Sequence, residues 1–349
     1  MFLLEIFMRR TPTIIDVAQR AGVSPSTVSR ALMKPELVSE QTRATIEAAV
    51  DAIGYRINVG AQNLRRQRTR NIVVLTPNLQ NSYYFDVLAG ISSAVTDAGF
   101  NLLIGDGATI GALGNDFDVR HYLDSSLADG IILMDSTYLG GLAASPDKAT
   151  RIPIVLASLW LEDQSIPSVR VDNIAGSGLA VDHLVSLGHH KIGHVRGPTG
   201  VILAKTREEG FCKAMAAHNL PVREDWLVAG GSSLQAGKDA ADIWLAMPPE
   251  DRPSAIYCYS DNIAIGLMGS LQQKGLSIPR DLSLVGFDGI ELGTHLAVPL
   301  TTIEQPRFEI GKKSAAAVIN IIETPDAPPQ ELHTILPVQL VVRNSTARI

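Results

Sequence analysis

The sequence predicts a small all-α head, a short connector, and a larger α/β core built from two doubly wound parallel sheets. Three observations predict it. Residues 13–54 hold apolar positions at helical spacing, punctuated by capping residues and by Gly22 and Gly54. From Asn71 the texture changes to short β-branched apolar runs, each followed by an amphipathic stretch. Charge divides along the same line: residues 1–70 carry 11 Lys/Arg against 6 Asp/Glu, and the remainder carries 19 against 30. A basic head on an acidic body points to a polyanion partner at one end only.

The length of 349 residues suits two or three domains, and 46 % hydrophobic with 19 % charged residues describes a globular chain. Cys212 and Cys258 are far apart and form no CxxC pair, which fits a reducing compartment and offers neither a metal nor a disulfide framework. No apolar run approaches the roughly 18–20 residues of a membrane span. The opening MFLLEIF is too short for a signal segment and carries Glu5, so Met8 is the expected true start and the cytoplasm the expected location.

In the head, Thr13 is placed to cap a first helix from Ile14 to about Ala21, with Asp16 three residues on. Gly22 supplies the turn. Ser24 caps a second helix, about Pro25–Met33, whose first position tolerates Pro25 because that N–H has no helical partner. Val28, Ala31 and Leu32 face inward, leaving Ser26, Thr27, Ser29 and Arg30 on polar faces. A third helix runs from the Ser39 cap to Ile53, and Gly54 ends it. Two short helices around a tight turn form the helix-turn-helix pattern of a DNA reader.

In the core, NIVVLTP, FNLLIGD, ADGIILMDS, RIPIVLASL, KIGHVRGP, SAIYCYSD and LSLVGFDG read as buried parallel strands. Segments such as Val87–Ala98 and Ile263–Lys274 read as their crossover helices. Two such sheets place a cleft at the carboxyl ends of their strands. Tyr83 and Tyr84 follow the first strand, where each can stack on a ring and bond through its hydroxyl. Asp106 and Asp261 also follow strands and can accept bonds from a ligand. Each has a plainer alternative, as a core tyrosine or a helix-capping aspartate. The histidines 183, 189, 190 and 194 read better as a helix-to-strand turn than as a metal site. No catalytic constellation, phosphate cradle or cofactor motif stands out.

The ordered motifs Asp16–Ala18, Ala21–Ser24, Thr27–Arg30 and Val38–Arg43 resemble the LacI/GalR family of bacterial repressors. The resemblance continues through Asp129–Ile132, Val171–Asn173, Leu187–His189, Gly197-Pro198, Arg207 with Gly210-Phe211, Val285–Asp288 and Leu300–Pro306. It implies a helix-turn-helix head over 11–57, a hinge helix and linker over 58–70, and a periplasmic-binding-protein-like core over 71–349. The core would consist of two subdomains, with chain crossings near 169–172, 300–305 and 330–336. Pro25, Ser26 and Arg30 would then read bases, while Ser24, Thr27 and Ser29 would hold phosphates. Pro25 has no side-chain donor, so base reading leans on Ser26 and Arg30.

Asn58–Leu64 would form the hinge helix, with Leu64 wedging into the minor groove beside its counterpart from a second copy. Seven residues are too few for a stable isolated helix, and ordering their backbone costs about 7–14 kcal/mol, so it should form only on DNA. Ile57 stands where the family usually has proline, and Gly60 where it has a β-branched residue, so this hinge is weak. Arg207 matches a position that commonly touches effector, although Glu208 and Glu209 are competing ion-pair partners. Ser260 departs from the usual Asn, and Ser158-Leu159-Trp160 from a frequent Asp-Arg. Wording at 27–33, 103–106, 259–261 and 300–311 is nearest to a nucleoside-responsive subgroup.

The expected function is a homodimeric or larger transcriptional regulator, a repressor, that binds double-stranded operator DNA under control of a sugar or nucleoside. It needs no cofactor and no membrane. The competing readings are a cytoplasmic solute receptor without DNA function and an enzyme on a doubly wound fold, which lacks candidate residues.

Overall fold

The computed structural model describes residues 12–56, 68–107, 127–135, 152–163, 165–325 and 332–349. Its contacts divide the chain into two units, Met1–Thr69 and Arg70–Ile349.

The first unit contains α1 (Ile14–Ala21), α2 (Pro25–Met33) and α3 (Glu40–Ile53). Local chemistry sets each end. Asp16 accepts both the Thr13 N–H and its hydroxyl at 2.7 Å, and the Ser24 and Ser39 hydroxyls accept the N–H groups of Thr27 and Thr42. Gly22 and Gly54 end α1 and α3 at φ 66° and 65°, a region a Cβ disfavours. Val17, Ala18, Val28, Ala31, Ile46 and Ala49 form the core, with half-buried Ile14, Leu32, Val50 and Ile53 around it. A short 3₁₀ turn at Pro35–Leu37, which the sequence reading omits, bridges α2 to α3. The hinge residues Ile57, Asn58, Gly60 and Leu64 lie outside the described residues.

The second unit holds two six-stranded sheets. β1 (Asn71–Thr76), β2 (Asn101–Asp106), β3 (Gly130–Leu133), β4 (Ile154–Ala157), β5 (Ser168–Val171) and β11 (His333–Leu336) form one, in the order β11-β5-β4-β3-β1-β2. β6 (Ile192–Val195), β7 (Leu227–Val228), β8 (Ala255–Cys258), β9 (Ser283–Asp288), β10 (Thr301–Glu304) and β12 (Gln339–Val341) form the other, in the order β12-β10-β9-β8-β6-β7. All recorded pairings are parallel except β10 with β12. Central strands such as β3, β8 and β9 are buried along their whole length, as helices on both faces require.

Among the described residues the α-helices of this unit are α4 (Tyr83–Asp97), α5 (Asn173–Ser186), α6 (Ile202–Ala217), α7 (Leu234–Ala246), α8 (Asp261–Gln273) and α9 (Arg307–Glu323). Two start earlier than their apolar period suggests: α4 at Tyr83 rather than Val87, and α8 at Asp261 rather than Ile263. The first turn of α8 is polar, Asp261-Asn262, and that of α4 is a run of three aromatics, Tyr83–Phe85, so neither shows the helical alternation of apolar and polar positions. The chain leaves the first sheet after β5 and returns after β10, because α5 packs on β8, β10 and β12 while α9 packs on β3, β4 and β5. It passes over a third time at Pro337-Val338, between β11 and β12, one step beyond the 330–336 expectation.

Candidate functional site

On the head, the second helix presents a short polar face. Ser24, Pro25, Ser26 and Arg30 are exposed, and Thr27 and Ser29 are half-buried. The Ser24 hydroxyl already serves as the helix cap and lies 2.7 Å from Ser26 Oγ and 2.8 Å from Thr27 Oγ1. The three hydroxyls therefore form one cluster at the helix N-terminus, where backbone N–H groups favour an anion. Arg30 projects one turn further along.

In the core, the candidate cleft lies where the strands of both sheets end. Tyr83 opens α4 because Asn81 turns the chain after β1, its Oδ1 accepting the Tyr83 N–H at 3.0 Å. The Tyr83 ring is buried and meets Tyr84 edge-on at 5.1 Å. Its hydroxyl lies 2.8 Å from Ser158 Oγ and 3.2 Å from Gln305 Oε1. Ser158 follows β4 at φ 70°, a strained backbone for a residue with a Cβ. Half-buried Tyr84 stands beside it. Burial raises both phenols well above their ordinary range, so both are neutral donors.

Opposite stands Arg207, 3 % exposed on α6. Nε donates to Asn173 Oδ1 at 2.8 Å and Nη1 to the Tyr259 carbonyl at 2.6 Å. Nη1 also lies 3.4 Å from Asp288 Oδ1. The guanidinium stacks over Phe287 at 3.7 Å and Tyr259 at 4.7 Å. Its partners are not Glu208 and Glu209, which pair with Arg196 and Lys213. Gln305 Nε2 completes the Asp288 carboxylate at 2.8 Å. Burial lifts the Asp288 carboxyl well above the usual carboxylate range, against the opposing pull of Arg207.

Two expected ligand residues have other surroundings. Asp261 is fully buried, and its carboxylate accepts the Thr302 hydroxyl at 2.5 Å and the Ile290 N–H at 2.8 Å. It braces the β9–β10 loop, and it packs against Gly286, where a Cβ would lie 2.1 Å from its Oδ1. Asp106 ends the edge strand β2 and accepts the Leu79 N–H at 3.2 Å. The structure adds Asn173, Asp288, Gln305, Ser158 and Tyr259 to the cleft. Asn173, Asp288 and Gln305 belong to the motifs Val171–Asn173, Val285–Asp288 and Leu300–Pro306. Strand-end position was the signal that could have singled them out.

Two contacts join the rims of the cleft: Asn262 Nδ2 donates to Asn81 Oδ1 at 3.1 Å, and Lys205 pairs with Glu162 at 2.9 Å. The histidines take structural roles. His194 stacks against both Phe211 and Tyr257, which also stack on each other, and His189 bonds to Ser254, Ser283 and the Ala347 carbonyl. Among the described residues no group of three His, Cys, Asp or Glu side chains could hold a metal, and no helix is long and apolar enough to cross a membrane.

Residues 13–58 match the family described as bacterial regulatory proteins, lacI family, and residues 181–346 match the periplasmic binding protein-like domain. The chain is 31 % identical to the HTH-type transcriptional repressor CytR of Escherichia coli strain K12, over 96 % of each chain. It is 33 % identical to the HTH-type transcriptional repressor PurR of Vibrio vulnificus, over 97 % of this chain and 99 % of the relative. Among solved structures, the lac repressor dimer bound to operator and the anti-inducer ONPF superposes with a TM-score of 0.80 at 26 % identity, covering 97 % of this chain and all of that one.

Proposed function

The chain belongs to the lacI family of bacterial regulatory proteins, and from that premise we propose that this DNA-binding repressor is controlled by a nucleoside held in its core cleft. The observation that carries the choice of effector is the composition of the cleft. Tyr83 and Tyr84 offer aromatic surface for a ring, while Arg207, Asp288 and Gln305 offer charged and amide groups for hydroxyls. A sugar stacks on the same rings through its C–H face and is the alternative. What favours the nucleoside is that it occupies both sets at once, its base on the rings and its ribose on the polar groups. The chain acts by binding: its relatives are repressors.

The reading divides the chain into a head at 11–57, a hinge and linker at 58–70 and the core at 71–349. Ser26 and Arg30 read bases, Ser24, Thr27 and Ser29 meet phosphates, and Asn58 and Leu64 engage the minor groove. Two copies bind a pseudo-palindromic operator in the cytoplasm. Effector binding changes the angle between subdomains, and the hinge helices gain or lose their paired register. An effector with a roughly 100-fold preference for one state shifts the balance by about 2.7 kcal/mol, enough to regulate a hinge whose folding is nearly balanced.

A thermal-shift screen of the protein with cytidine, adenosine, ribose and glucose tests the effector. A nucleoside at 100 times its Kd should add about 2.7 kcal/mol of stability. Stabilisation by a sugar and by no nucleoside would overturn the nucleoside reading. A gel shift on a duplex selected by the protein from a random library tests the head. There, Arg30→Ala should cost about 1–3 kcal/mol of specific binding without changing the unfolding midpoint. Absence of any selected duplex would return the solute-receptor reading.

A further inference from the structure

One arginine bonds to both subdomains. Arg307 opens α9 directly after the second crossing, and its side chain is 9 % exposed. Nη1 donates to the Asp288 main-chain carbonyl at 3.3 Å, and Nη2 donates to Asp86 Oδ2 at 2.5 Å. Asp288 ends β9 in the C-terminal sheet, and Asp86 lies in the first turn of α4 on the N-terminal one.

Both ends of this bridge matter for the cleft. Asp288 sits at φ 128°, a backbone conformation that a residue with a Cβ keeps only when its surroundings impose it. The bonds that impose it include two to its carbonyl, from Arg307 and from the Gln305 N–H at 3.3 Å. The same residue points its carboxylate at Arg207 and Gln305. A ligand that engages that carboxylate therefore pulls on a strained residue whose other side is held by Arg307.

At the far end, α4 and α9 behave as one piece. A Cβ at Gly90 would lie 2.0 Å from the Phe308 carbonyl oxygen, and one at Gly311 would lie 1.9 Å from that of Val87. Backbones in such close contact cannot slide past each other without a clash, so the pair moves together. Beside the Asp86–Arg307 bond is a cavity of about 540 Å³, lined also by Phe308, Pro337, Val338 and Gln339. Both the second and third crossings border it. The bridge can thus shift without displacing packed core.

We propose that Arg307 is a positioning residue for the effector response, registering the conformation of Asp288 and passing it through Asp86 to the α4–α9 pair. Its stimulus is the effector proposed above, and in that respect it rests on that reading; the bridge itself requires no ligand. Residue-resolved amide hydrogen exchange on the full, unliganded chain tests it, comparing wild type with Asp86→Asn and Asp86→Glu. Asp86 is half-exposed, so neither substitution opens the core.

The telling amides are on the other side of the bridge: Gln305, which donates to the Asp288 carbonyl, and Ile290, which donates to Asp261. Asp86→Asn should speed their exchange about tenfold, and Asp86→Glu should restore it towards wild type. Faster exchange confined to residues 83–90 would overturn the proposal, because Asp86 would then have only a local role. Unchanged rates at Gln305 and Ile290, or equal acceleration by Glu and Asn, would overturn it as well. Since neither DNA nor nucleoside enters the experiment, a negative result leaves the effector reading standing, and a failed nucleoside screen leaves this result intact.

Discussion

The recognition helix of the head and the cleft of the core use polar side chains in opposite ways. On the head, Ser24, Ser26 and Arg30 stand in solvent, and the contacts that order the first turn span two or three residues. In the cleft, Arg207 and Asp288 are buried, and the bonds that hold them and their neighbours span from 17 residues, for Gln305 with Asp288, to 222, for Tyr83 with Gln305. An exposed group is supported by water whatever happens to its neighbour. A buried charge depends on every partner it has, since desolvation must be offset within the protein. The head therefore tolerates change in its reading surface, whereas the cleft couples binding to stability.

The sharpest way to break this contrast is Arg207→Met. It leaves Asp288 without its cation and should cost about 3 kcal/mol of core stability by denaturant unfolding, together with loss of any nucleoside-induced thermal shift. A cost below 1 kcal/mol would mean that the cleft is no more coupled than the head.

Acid titration comes next. All eight histidines lie beyond residue 70, so none belongs to the head. Burial pushes the His194 imidazole down to about 4, opposed by its bond to the Tyr257 carbonyl. The unfolded chain binds that proton near pH 6.5 and the native core only near 4, so the stability is present above 6.5 and lost as pH falls through this window. The full contribution is about 3 kcal/mol, with about 2 kcal/mol of it gone by pH 5. The stability difference between wild type and His194→Phe, which keeps the ring stack, should follow this curve from pH 7 to 5, because the opposing contribution of the raised Asp288 carboxyl and those of His183 and His189 are common to both proteins. Amide exchange in α1–α3 should show no matching loss.

Two glycines extend the comparison at smaller scale. Gly286→Ala places a Cβ against the Asp261 carboxylate and should cost about 1–3 kcal/mol by overpacking. Gly22→Ala meets no atom within 4 Å, so only its left-handed backbone resists, at about 1 kcal/mol. Equal costs would remove the distinction between a packed and an open glycine. Smallest is Ser24→Ala, which removes a cap and should cost about 1 kcal/mol in the head's midpoint while leaving the core transition in place.

Local chemistry made the head legible from its sequence. Each cap, turn glycine and apolar period acts within four residues, so Thr13, Ser24, Ser39, Gly22 and Gly54 delimit three helices without reference to anything distant. Most buried strands of the core were legible too, because continuous β-branched runs leave little alternative. The charge asymmetry also belongs to the sequence, and its seat can be narrowed: residues 12–56 hold five Lys/Arg and five Asp/Glu, whereas residues 57–70 hold four arginines and no acid.

What only the tertiary structure decided was partnership. Sequence neighbours suggested Glu208 or Glu209 for Arg207, yet α6 turns those two towards other cations and delivers Arg207 to Asn173 and Asp288. Strand-end position made Asp261 look like a ligand for the effector, but Thr302 and the β9–β10 loop close over it. Local spacing cannot foresee such outcomes. Which buried polar groups face each other is set by strand order and by two sheets sharing three crossings, and these bring together residues far apart in the chain.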